Sequence, residues 1–364
     1  MTMTEFSWKE ILGLISARTE LSEDATFWAM NQIMSGTATD SQIAAYAIGL
    51  RVKGETSKEI EGMVKAILAN ANTVSLSAPA LDIVGTGGDG AHTVNVSTMA
   101  ALVAAGAGVP ILKHGNRAIS SKSGTADVLE ALGVAISMPP ELVASCVAEA
   151  GIAFCFAPAH HPGFRHAGPV RKELGVPTIF NVLGPLCNPG QPPAALIGCA
   201  DVRLAPVLAQ VQCDRGFSAI VVRSDDGLDE LSTSGTSQVW DVTTDSVRHI
   251  SFDPSVLGLI PASLDQLRGG EAHFNAHVVS AILEGRTDGN FAAIRDVVAL
   301  NAAAGLVAFD AVGSDHRFGN PSESFTNRVA RALPVAYQSI DTGSAMSALT
   351  VLMSVSQRFA ISAL

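Results

Sequence analysis

The chain has 364 residues with 34 acidic and 23 basic side chains, and its formal net charge is -11 at neutral pH. Nucleic acid and anionic membranes are themselves negatively charged, so this balance disfavours a general surface for either partner. The hydrophobic content of 48% is enough to bury a substantial core, and the length suits one large domain or a two-domain enzyme. We therefore expect a soluble, acidic, globular protein without a nucleic-acid partner.

The five cysteines lie among apolar neighbours and lack the spacing of metal ligands. We interpret them as buried thiols in a reducing compartment, and we expect a cytoplasmic location. The amino terminus has acidic residues early and no basic region followed by an apolar core, so we predict no signal peptide. Apolar segments are interrupted before they reach the roughly 20 residues of a membrane helix, so we expect no membrane partner.

Residues 1 to 76 are predicted to form a helical domain. Apolar residues recur at helical spacing, and Ser22, Thr39 and Thr56 stand where helix caps are expected. No strand candidate is found among these helices. Because such small amphipathic helices need another surface to pack on, we expect the domain to provide a dimer interface.

Residues 79 to 364 are predicted to form a larger α/β domain. Short apolar runs alternate with helical segments there, which indicates a central, mostly parallel sheet flanked by helices. A hairpin is expected around residues 243–245, and the last third is mostly helical. We interpret residues 165–188, which are rich in Gly, Pro, His and Arg, as a substrate-contacting hinge that packs near the helical domain. The predicted strands are 81–85, 109–113, 152–157, 194–199 and 217–223.

A glycine-rich loop, GTGGDG at residues 85–90, follows the first predicted strand. A buried strand that ends in such a loop presents backbone N–H groups to an anion, and phosphate is the first ligand to consider. The second predicted strand leads into KHGNR at residues 113–117. Neighbouring parallel strands open on one crevice, where we place the active site. For an isolated glycine cluster, a tight turn alone is the alternative.

An acidic loop, SDDGLDELSTSG, follows the fifth predicted strand. Adjacent carboxylates at a strand end, here Asp229 and Glu230, suit Mg²⁺, which takes a few protein oxygens and keeps water and phosphate as its other ligands. The alternative is solvated surface, which is the usual state of acidic loops in an acidic protein. We expect that state for Asp225 and Asp226.

Five short motifs occur in a fixed order along nearly the whole chain. They are Gly85-Thr86-Gly87-Gly88-Asp89, Asn95-Val96-Ser97-Thr98, Lys113-His114-Gly115-Asn116-Arg117, Gly168-Pro169-Val170-Arg171 and Asp229-Glu230. In this order and spacing they resemble the anthranilate phosphoribosyltransferase family. The resemblance implies transfer of the 5-phosphoribosyl group from phosphoribosyl pyrophosphate to the amine of anthranilate in tryptophan biosynthesis, with release of pyrophosphate. It also implies Mg²⁺, in two ions, the fold of the pyrimidine-nucleoside phosphorylases and a homodimer built through the helical domain.

Charge neutralisation is the main task of such a site, because negative charge accumulates on the departing pyrophosphate. No dedicated general base is expected, and Lys113, Asp229 and Glu230 are expected to contribute electrostatically. By the resemblance, Asp229 and Glu230 hold one Mg²⁺, and Ser97 with Glu230 holds the other. The residues implied to bind phosphoribosyl pyrophosphate are Gly85, Gly88, Asp89, Thr93, Asn95, Val96, Ser97, Thr98, Lys113, His114, Gly115, Asn116, Arg117, Ser120, Ser121 and Thr125.

The acceptor site requires a group that recognises the carboxylate of anthranilate. Arg171 is the natural choice, because a guanidinium group binds carboxylate in a bidentate way. Two departures from the family pattern affect the acceptor tunnel. Phe164 stands where the family more often has Met or Tyr, and Ala118-Ile119 replace a commoner small or polar pair. The residues implied to contact anthranilate are Gly85, Asn116, His161, Phe164 and Arg171.

Two other functions remain open at this point. A pyrimidine-nucleoside phosphorylase of the same fold would use free phosphate without the acid pair, and phosphorolysis of thymidine or uridine without metal would identify it. A non-enzymatic relative that binds nucleic acid is disfavoured by the net charge of -11. The leading hypothesis would be contradicted by a fold that places Gly88, Lys113 and Glu230 on different faces of the molecule.

Overall fold

The computed structural model describes residues 6–118 and 122–362, and in it a helical bundle precedes an α/β domain. The three predicted caps are confirmed, because Ser22, Thr39 and Thr56 each accept a hydrogen bond from a backbone N–H in the first turn of their helix. The bundle consists of α1 (Trp8–Ser16), α2 (Glu23–Met34), α3 (Asp40–Lys53) and α4 (Ser57–Ala69).

A single seven-stranded sheet forms the centre of the α/β domain, with the order β3-β2-β1-β4-β5-β6-β7. The first five strands are parallel, and β6 and β7 continue the sheet as an antiparallel hairpin, so the predicted fold class is confirmed. The strands are β1 (Leu81–Gly85), β2 (Ile111–Gly115), β3 (Ile152–Phe156), β4 (Ala194–Gly198), β5 (Ser218–Ser224), β6 (Ser237–Val242) and β7 (Arg248–Phe252).

Helices cover both faces of the sheet. The segment expected to be a hinge folds into short helices and single 3₁₀ turns, which pack against α2 and α3 of the bundle. The helices after the bundle are α5 (Val96–Gly106), α6 (Thr125–Ala131), α7 (Pro140–Ala150), α8 (Ala157–His160), α9 (Gly168–Leu174), α10 (Ala205–Asp214), α11 (Ala272–Leu283), α12 (Phe291–Asp310), α13 (Phe325–Asp341) and α14 (Ser344–Ser362).

The two faces of the sheet belong to two separate apolar cores. Because side chains alternate along a strand, Leu196 joins the core that contains α5 and α12, whereas its neighbour Ile197 joins the other. The second core also contains buried side chains of the bundle, such as Tyr46, and of the hinge segment, such as Val170. The bundle and the hinge segment therefore pack together on one face of the sheet.

Within the described part of the chain, α12 is long and apolar enough to cross a membrane, with a mean hydropathy of 1.6. Its apolar sequence is interrupted by Arg295 and Asp296, as expected for the long apolar segments of this chain. Moreover, 72% of its most apolar window is buried inside the fold, where it packs against α5 and α13. The helix is apolar around much of its circumference because it lies in the core.

Strand β1 lies between β2 and β4, so the sheet has a topological switch point at β1 and β4. In open α/β sheets, ligands bind in the crevice beyond the carboxyl ends of the strands at such a point. Gly85 and Gly198 are paired at the ends of these two strands. The fold thus places a glycine on each side of the crevice predicted to hold the site.

Candidate active site

Gly85 and Gly198 provide the space in which the acidic loop sits. A Cβ atom at Gly198 would lie 1.5 Å from the backbone oxygen of Asp229, and one at Gly85 would lie 2.3 Å from its Oδ2 atom. The same Oδ2 atom accepts a hydrogen bond of 2.6 Å from the backbone N–H of Gly87, which is 142 positions away in the sequence. The glycine loop and the acidic loop are therefore in direct contact at the switch point.

Asp229 and Glu230 are a pair of buried carboxylates close to Asp89. Burial and the neighbouring charge of Asp89 raise the pKa of Asp229 to about 6. Burial, followed by the charges of Asp229 and Asp89, raises the pKa of Glu230 well above its usual value. The Oε2 atom of Glu230 is sealed from solvent and has no hydrogen-bond partner among the described residues. A buried carboxylate without a partner is costly, and a cation at this point would relieve the cost.

These carboxylates fit Mg²⁺ better than they fit a metal held by protein side chains alone. Among residues 6–118 and 122–362, no group of three or more His, Cys, Asp or Glu side chains is arranged to hold a metal ion. Mg²⁺ is usually bound by one or two carboxylates together with water and substrate phosphate, so an acid pair is sufficient. The backbone of Ser97 hydrogen-bonds the Glu230 carboxyl group, which places the third predicted ligand beside it.

Lys113 supplies a buried positive charge next to the acid pair. Its Nζ atom donates to the carbonyl of Ile83 and lies 3.3 Å from Oγ of Ser97. Burial lowers its pKa to about 8, against the opposing effects of the nearby carboxylates of Asp82 and Glu230. The glycine loop, Lys113 and Glu230 therefore lie together at the carboxyl ends of the central strands. The arrangement that would have contradicted the leading hypothesis is not observed.

The remaining residues of the predicted glycine-loop site surround the start of α5. Gly88 is exposed and has a positive φ of 83°, a conformation that glycine adopts without strain. Asp89 accepts a hydrogen bond from the backbone of Ala91 at 3.0 Å. Thr93 forms an isolated bridge with Arg268. Asn95, Val96, Ser97 and Thr98 form the cap and first turn of α5.

The loop after β2 is only partly directed at the crevice. Asn116 is exposed, and its Oδ1 atom accepts from the backbone of Arg117 at 2.7 Å. The guanidinium group of Arg117 forms ion pairs with Glu130 at 2.8 Å and Asp127 at 3.0 Å, and both carboxylates raise its pKa. Its charge is therefore paired with α6. Thr125 begins α6, and its hydroxyl lies 3.3 Å from that of Thr98. Ile119, Ser120 and Ser121 lie outside the described residues.

A chain of aromatic contacts leads from β2 to the predicted carboxylate recogniser. His114 and His161 have ring centroids 5.2 Å apart, and the contacts continue to Phe164 and then to Phe180. The guanidinium carbon of Arg171 lies 5.9 Å from the centre of the Phe180 ring. Burial lowers the pKa of Arg171, and the side chain forms no ion pair with any described residue. This cation therefore remains available for an anionic ligand beside a row of rings.

Three residues near the site were not identified from the sequence. Asn188 donates to Asp82 at 2.9 Å and to the carbonyl of Leu112 at 2.7 Å, and it thereby ties β1 to β2 below the crevice. Phe180 supports Arg171, and Gly198 accommodates Asp229. A glycine at the end of an apolar run was a usable signal for Gly198. We find no sequence signal for Asn188, because its partners are 106 and 76 positions away along the chain, and none for Phe180, because its contact with Arg171 depends on how the intervening segment folds.

Replacing His161 with Asn should make the protein less sensitive to mild acid. Burial lowers the pKa of His161 to about 4, whereas a histidine in the unfolded chain titrates near 6.5. Between about pH 7 and pH 5 the unfolded state takes up a proton that the folded state does not, so this group lowers the free energy of unfolding by roughly 2 kcal/mol. The variant should lose less stability over that range in urea titrations. An equal loss in both proteins would show that His161 is not buried in its neutral form.

Comparisons with known proteins identify relatives over nearly the whole chain. Family models of a glycosyl transferase family match the chain, the helical bundle domain over residues 9–71 and the α/β domain over residues 77–346. Anthranilate phosphoribosyltransferase of Arthrobacter sp. (strain FB24) is 50% identical over 343 residues, which are 94% of this chain and 94% of that protein.

Two solved structures resemble the whole fold. The crystal structure of anthranilate phosphoribosyltransferase from Thermus thermophilus is 35% identical, with a TM-score of 0.86, and the match covers 95% of this chain and 99% of that one. The enzyme of that name from Saccharomyces cerevisiae, in complex with PRPP and Mg, is 28% identical with a TM-score of 0.84. That match covers 98% of this chain and 100% of the other.

Proposed function

The chain belongs to the anthranilate phosphoribosyltransferase family, and from this membership we infer that it transfers the 5-phosphoribosyl group of phosphoribosyl pyrophosphate to the amine of anthranilate. The reaction releases pyrophosphate, requires Mg²⁺ and belongs to tryptophan biosynthesis. The observation that carries the proposal is the contact between the glycine loop and the buried pair Asp229 and Glu230 at the switch point, with Lys113 beside them.

We propose that the chain's own residues hold the diphosphate and neutralise its charge as it departs. Negative charge grows on the leaving group in the transition state, so fixed donors and cations aimed at it stabilise that state. The backbone of the glycine loop, the first turn of α5 and Lys113 provide them. Asp229, Glu230 and Ser97 would hold two Mg²⁺ ions, which would supply further positive charge to the phosphates.

We propose that Arg171 binds the carboxylate of anthranilate while the rings of His161, Phe164 and Phe180 line its path. The amine already has a lone pair, so attack on the ribose requires positioning more than deprotonation. Buried His114 and His161 have pKa values lowered to about 3 and about 4, which keeps both rings neutral at physiological pH.

The function is tested by mixing the purified protein with anthranilate, phosphoribosyl pyrophosphate and Mg²⁺ and following the loss of anthranilate fluorescence. We expect turnover in the complete mixture and none when Mg²⁺ or phosphoribosyl pyrophosphate is left out. A parallel assay with thymidine or uridine and orthophosphate, without metal, tests the nucleoside phosphorylase alternative. Phosphorolysis there, with no loss of anthranilate in the complete mixture, would replace the proposed function by that alternative.

Replacing Arg171 with Ala should raise the KM for anthranilate by about 10-fold to 100-fold and change the KM for phosphoribosyl pyrophosphate much less. The expected size is that of a lost charge-assisted hydrogen-bonded contact. Lys172→Ala is the matched control, because Lys172 is the next residue on α9 and is exposed. Initial rates with each substrate varied in turn measure both constants. Equal effects on the two constants in Arg171→Ala would contradict the assignment.

We propose that the protein is a homodimer built through its helical domain, residues 1–76, and that it is located in the cytoplasm. Exposed apolar side chains on the bundle support the first part, since Leu14 on α1 and Val52 on α3 are 39% and 65% exposed. The five cysteines form no disulfide, as expected in a reducing compartment. Light scattering after size exclusion tests the dimer, and Val52→Glu should shift the mass towards the monomer.

A further inference from the structure

Asn275, on α11, is linked to the predicted phosphate site through side-chain amides. It is 2% exposed, and its Nδ2 atom donates to Oδ1 of Asn95 at 2.8 Å. The Nδ2 atom of Asn95 donates in turn to the carbonyl of Ser123 at 3.1 Å. Asn95 is at the cap position of α5 but makes no capping hydrogen bond to that helix. Its amide is instead directed between α5 and the loop that follows β2.

The orientation of both amides is fixed from the two ends of this chain of hydrogen bonds. The backbone N–H of Gly270 donates to Oδ1 of Asn275 at 2.8 Å, and a backbone N–H can only donate. The NH₂ group of Asn275 must therefore face the oxygen of Asn95. The NH₂ group of Asn95 is then turned towards the carbonyl of Ser123, which can only accept. A flip of either amide would break a hydrogen bond at one end and bring two oxygens together.

The segment that carries Asn275 is also attached by its backbone to residues 92–94, which connect the glycine loop to α5. The backbone N–H of Val94 donates to the carbonyl of Leu267 at 2.9 Å, and that of Gly269 donates to the carbonyl of His92 at 2.8 Å. A Cβ atom at Gly269 would lie 2.5 Å from the backbone oxygen of Thr93, so the two segments approach closely. Residues 267–275 therefore pack against the residues that lead into α5 and hold them in place.

We propose that Asn275 is a positioning residue that directs the NH₂ group of Asn95 towards phosphoribosyl pyrophosphate. The NH₂ group of Asn95 donates one of its two N–H bonds to the carbonyl of Ser123 and makes no other hydrogen bond within the described residues. Its second N–H is therefore left to donate to a phosphate or ribose oxygen. A carboxylate at position 275 would reverse this arrangement. It would attract the NH₂ group of Asn95 and turn the Asn95 oxygen towards Ser123 and the phosphates. This inference rests on the proposed function.

The test compares Asn275→Asp and Asn275→Ala with the unaltered protein at about pH 8, where a carboxyl group is normally ionised. Asn275→Asp should raise the KM for phosphoribosyl pyrophosphate by about 10-fold to 100-fold, because it both removes a donor and presents an oxygen to an anion. Asn275→Ala should have a smaller effect, since it leaves Asn95 able to turn either way. The KM for anthranilate should stay within about twofold in both variants.

Asn70→Asp is the matched control. Asn70 also donates its side-chain amide to another asparagine, Asn31, at 2.9 Å, but it does so in the helical bundle. A purely structural cost of an Asn-to-Asp change should therefore appear in this variant without a change in either KM. Circular dichroism at the assay temperature establishes that each variant is folded.

The outcomes separate the inference from the proposed function. No turnover by the unaltered protein would remove both. If the unaltered protein is active, two results for Asn275→Asp overturn this inference and leave the proposed function intact. They are an unchanged KM for phosphoribosyl pyrophosphate and an equal rise in both KM values. An effect of Asn275→Ala equal to or above that of Asn275→Asp, or an equal effect of Asn70→Asp, also overturns it. If Asn275→Asp does not fold, a selective rise in Asn275→Ala supports the inference and an unchanged KM overturns it.

Discussion

Replacing Asp229 with Asn and Glu230 with Gln together should lower Mg²⁺-dependent turnover by about 10³-fold or more. The two amides keep the shape of the loop but remove the negative charge that a divalent cation requires. Glu230 has a buried oxygen without a hydrogen-bond partner among the described residues, and its carboxylate is only partly compensated by the nearby charge of Lys113. Initial rates of anthranilate consumption over a range of Mg²⁺ concentrations measure the effect.

The control for this double variant is a second double neutralisation in the same loop, Asp225→Asn with Asp226→Asn. Both residues are exposed, and their carboxylates accept hydrogen bonds from the hydroxyls of Ser234 and Thr236. An asparagine oxygen can accept the same bonds, so the rate should stay within about threefold of the original. Thermal unfolding without Mg²⁺ distinguishes lost metal binding from misfolding. The Asp229 and Glu230 variant should be at least as stable as the original, because two buried, mutually repelling carboxylates are removed. Full activity in that variant would refute the metal assignment.

Replacing Gly198 with Ala should reduce kcat/KM by about 100-fold or more, although no atom of the glycine is expected to touch substrate. The new methyl group would lie 1.5 Å from the backbone oxygen of Asp229, so the backbone of the acidic loop has to move. Displacing a binding group by about 1 Å is enough to cost about two orders of magnitude in rate. Overpacking should also lower the free energy of unfolding by about 1 to 3 kcal/mol.

Gly235→Ala is the matched control, because Gly235 lies in the same loop and a Cβ atom there would have no atom of another described residue beyond its chain neighbours within 4 Å. Gly85→Ala should give an intermediate loss of activity. Its methyl group would clash with the side chain of Asp229, at 2.3 Å from Oδ2, while the backbone oxygen of Asp229 would lie at an ordinary contact distance of 3.5 Å. A side chain can rotate where a backbone cannot. Urea titration and steady-state rates measure stability and activity separately. A Gly198→Ala variant with unchanged kcat/KM would show that the acidic loop is not held where the fold places it.

The sequence predicted secondary structure well where apolar spacing was regular. The five parallel strands, the hairpin and the helices of the bundle are all present, because alternation at period two and recurrence at period 3.6 are local properties. The second strand is the informative exception. It was expected at residues 109–113 but is Ile111–Gly115, because Pro110 has no N–H to donate to a neighbouring strand. Lys113 therefore lies inside a buried strand and not at the start of a loop.

The sequence predicted less about where individual side chains point. Arg117 was expected to contact phosphate through the resemblance, but its guanidinium group pairs with Asp127 and Glu130 on α6. Ion pairing depends on which carboxylates the fold brings near, and those are 10 and 13 positions away. Asn275 had no signal in the sequence for the same reason, since its partner Asn95 is 180 positions away.

The sequence by itself determined the strands, the helices, the caps, the glycine-rich loop and the acid pair that follows a strand. These follow from backbone propensity and side-chain period over a few neighbouring residues. Only the tertiary structure decided that the acid pair lies against the glycine loop, that Gly198 makes room for it and that Asn275 orients Asn95. Such contacts depend on which strands become neighbours and on the direction in which each loop leaves the sheet, and these are properties of the packed chain as a whole.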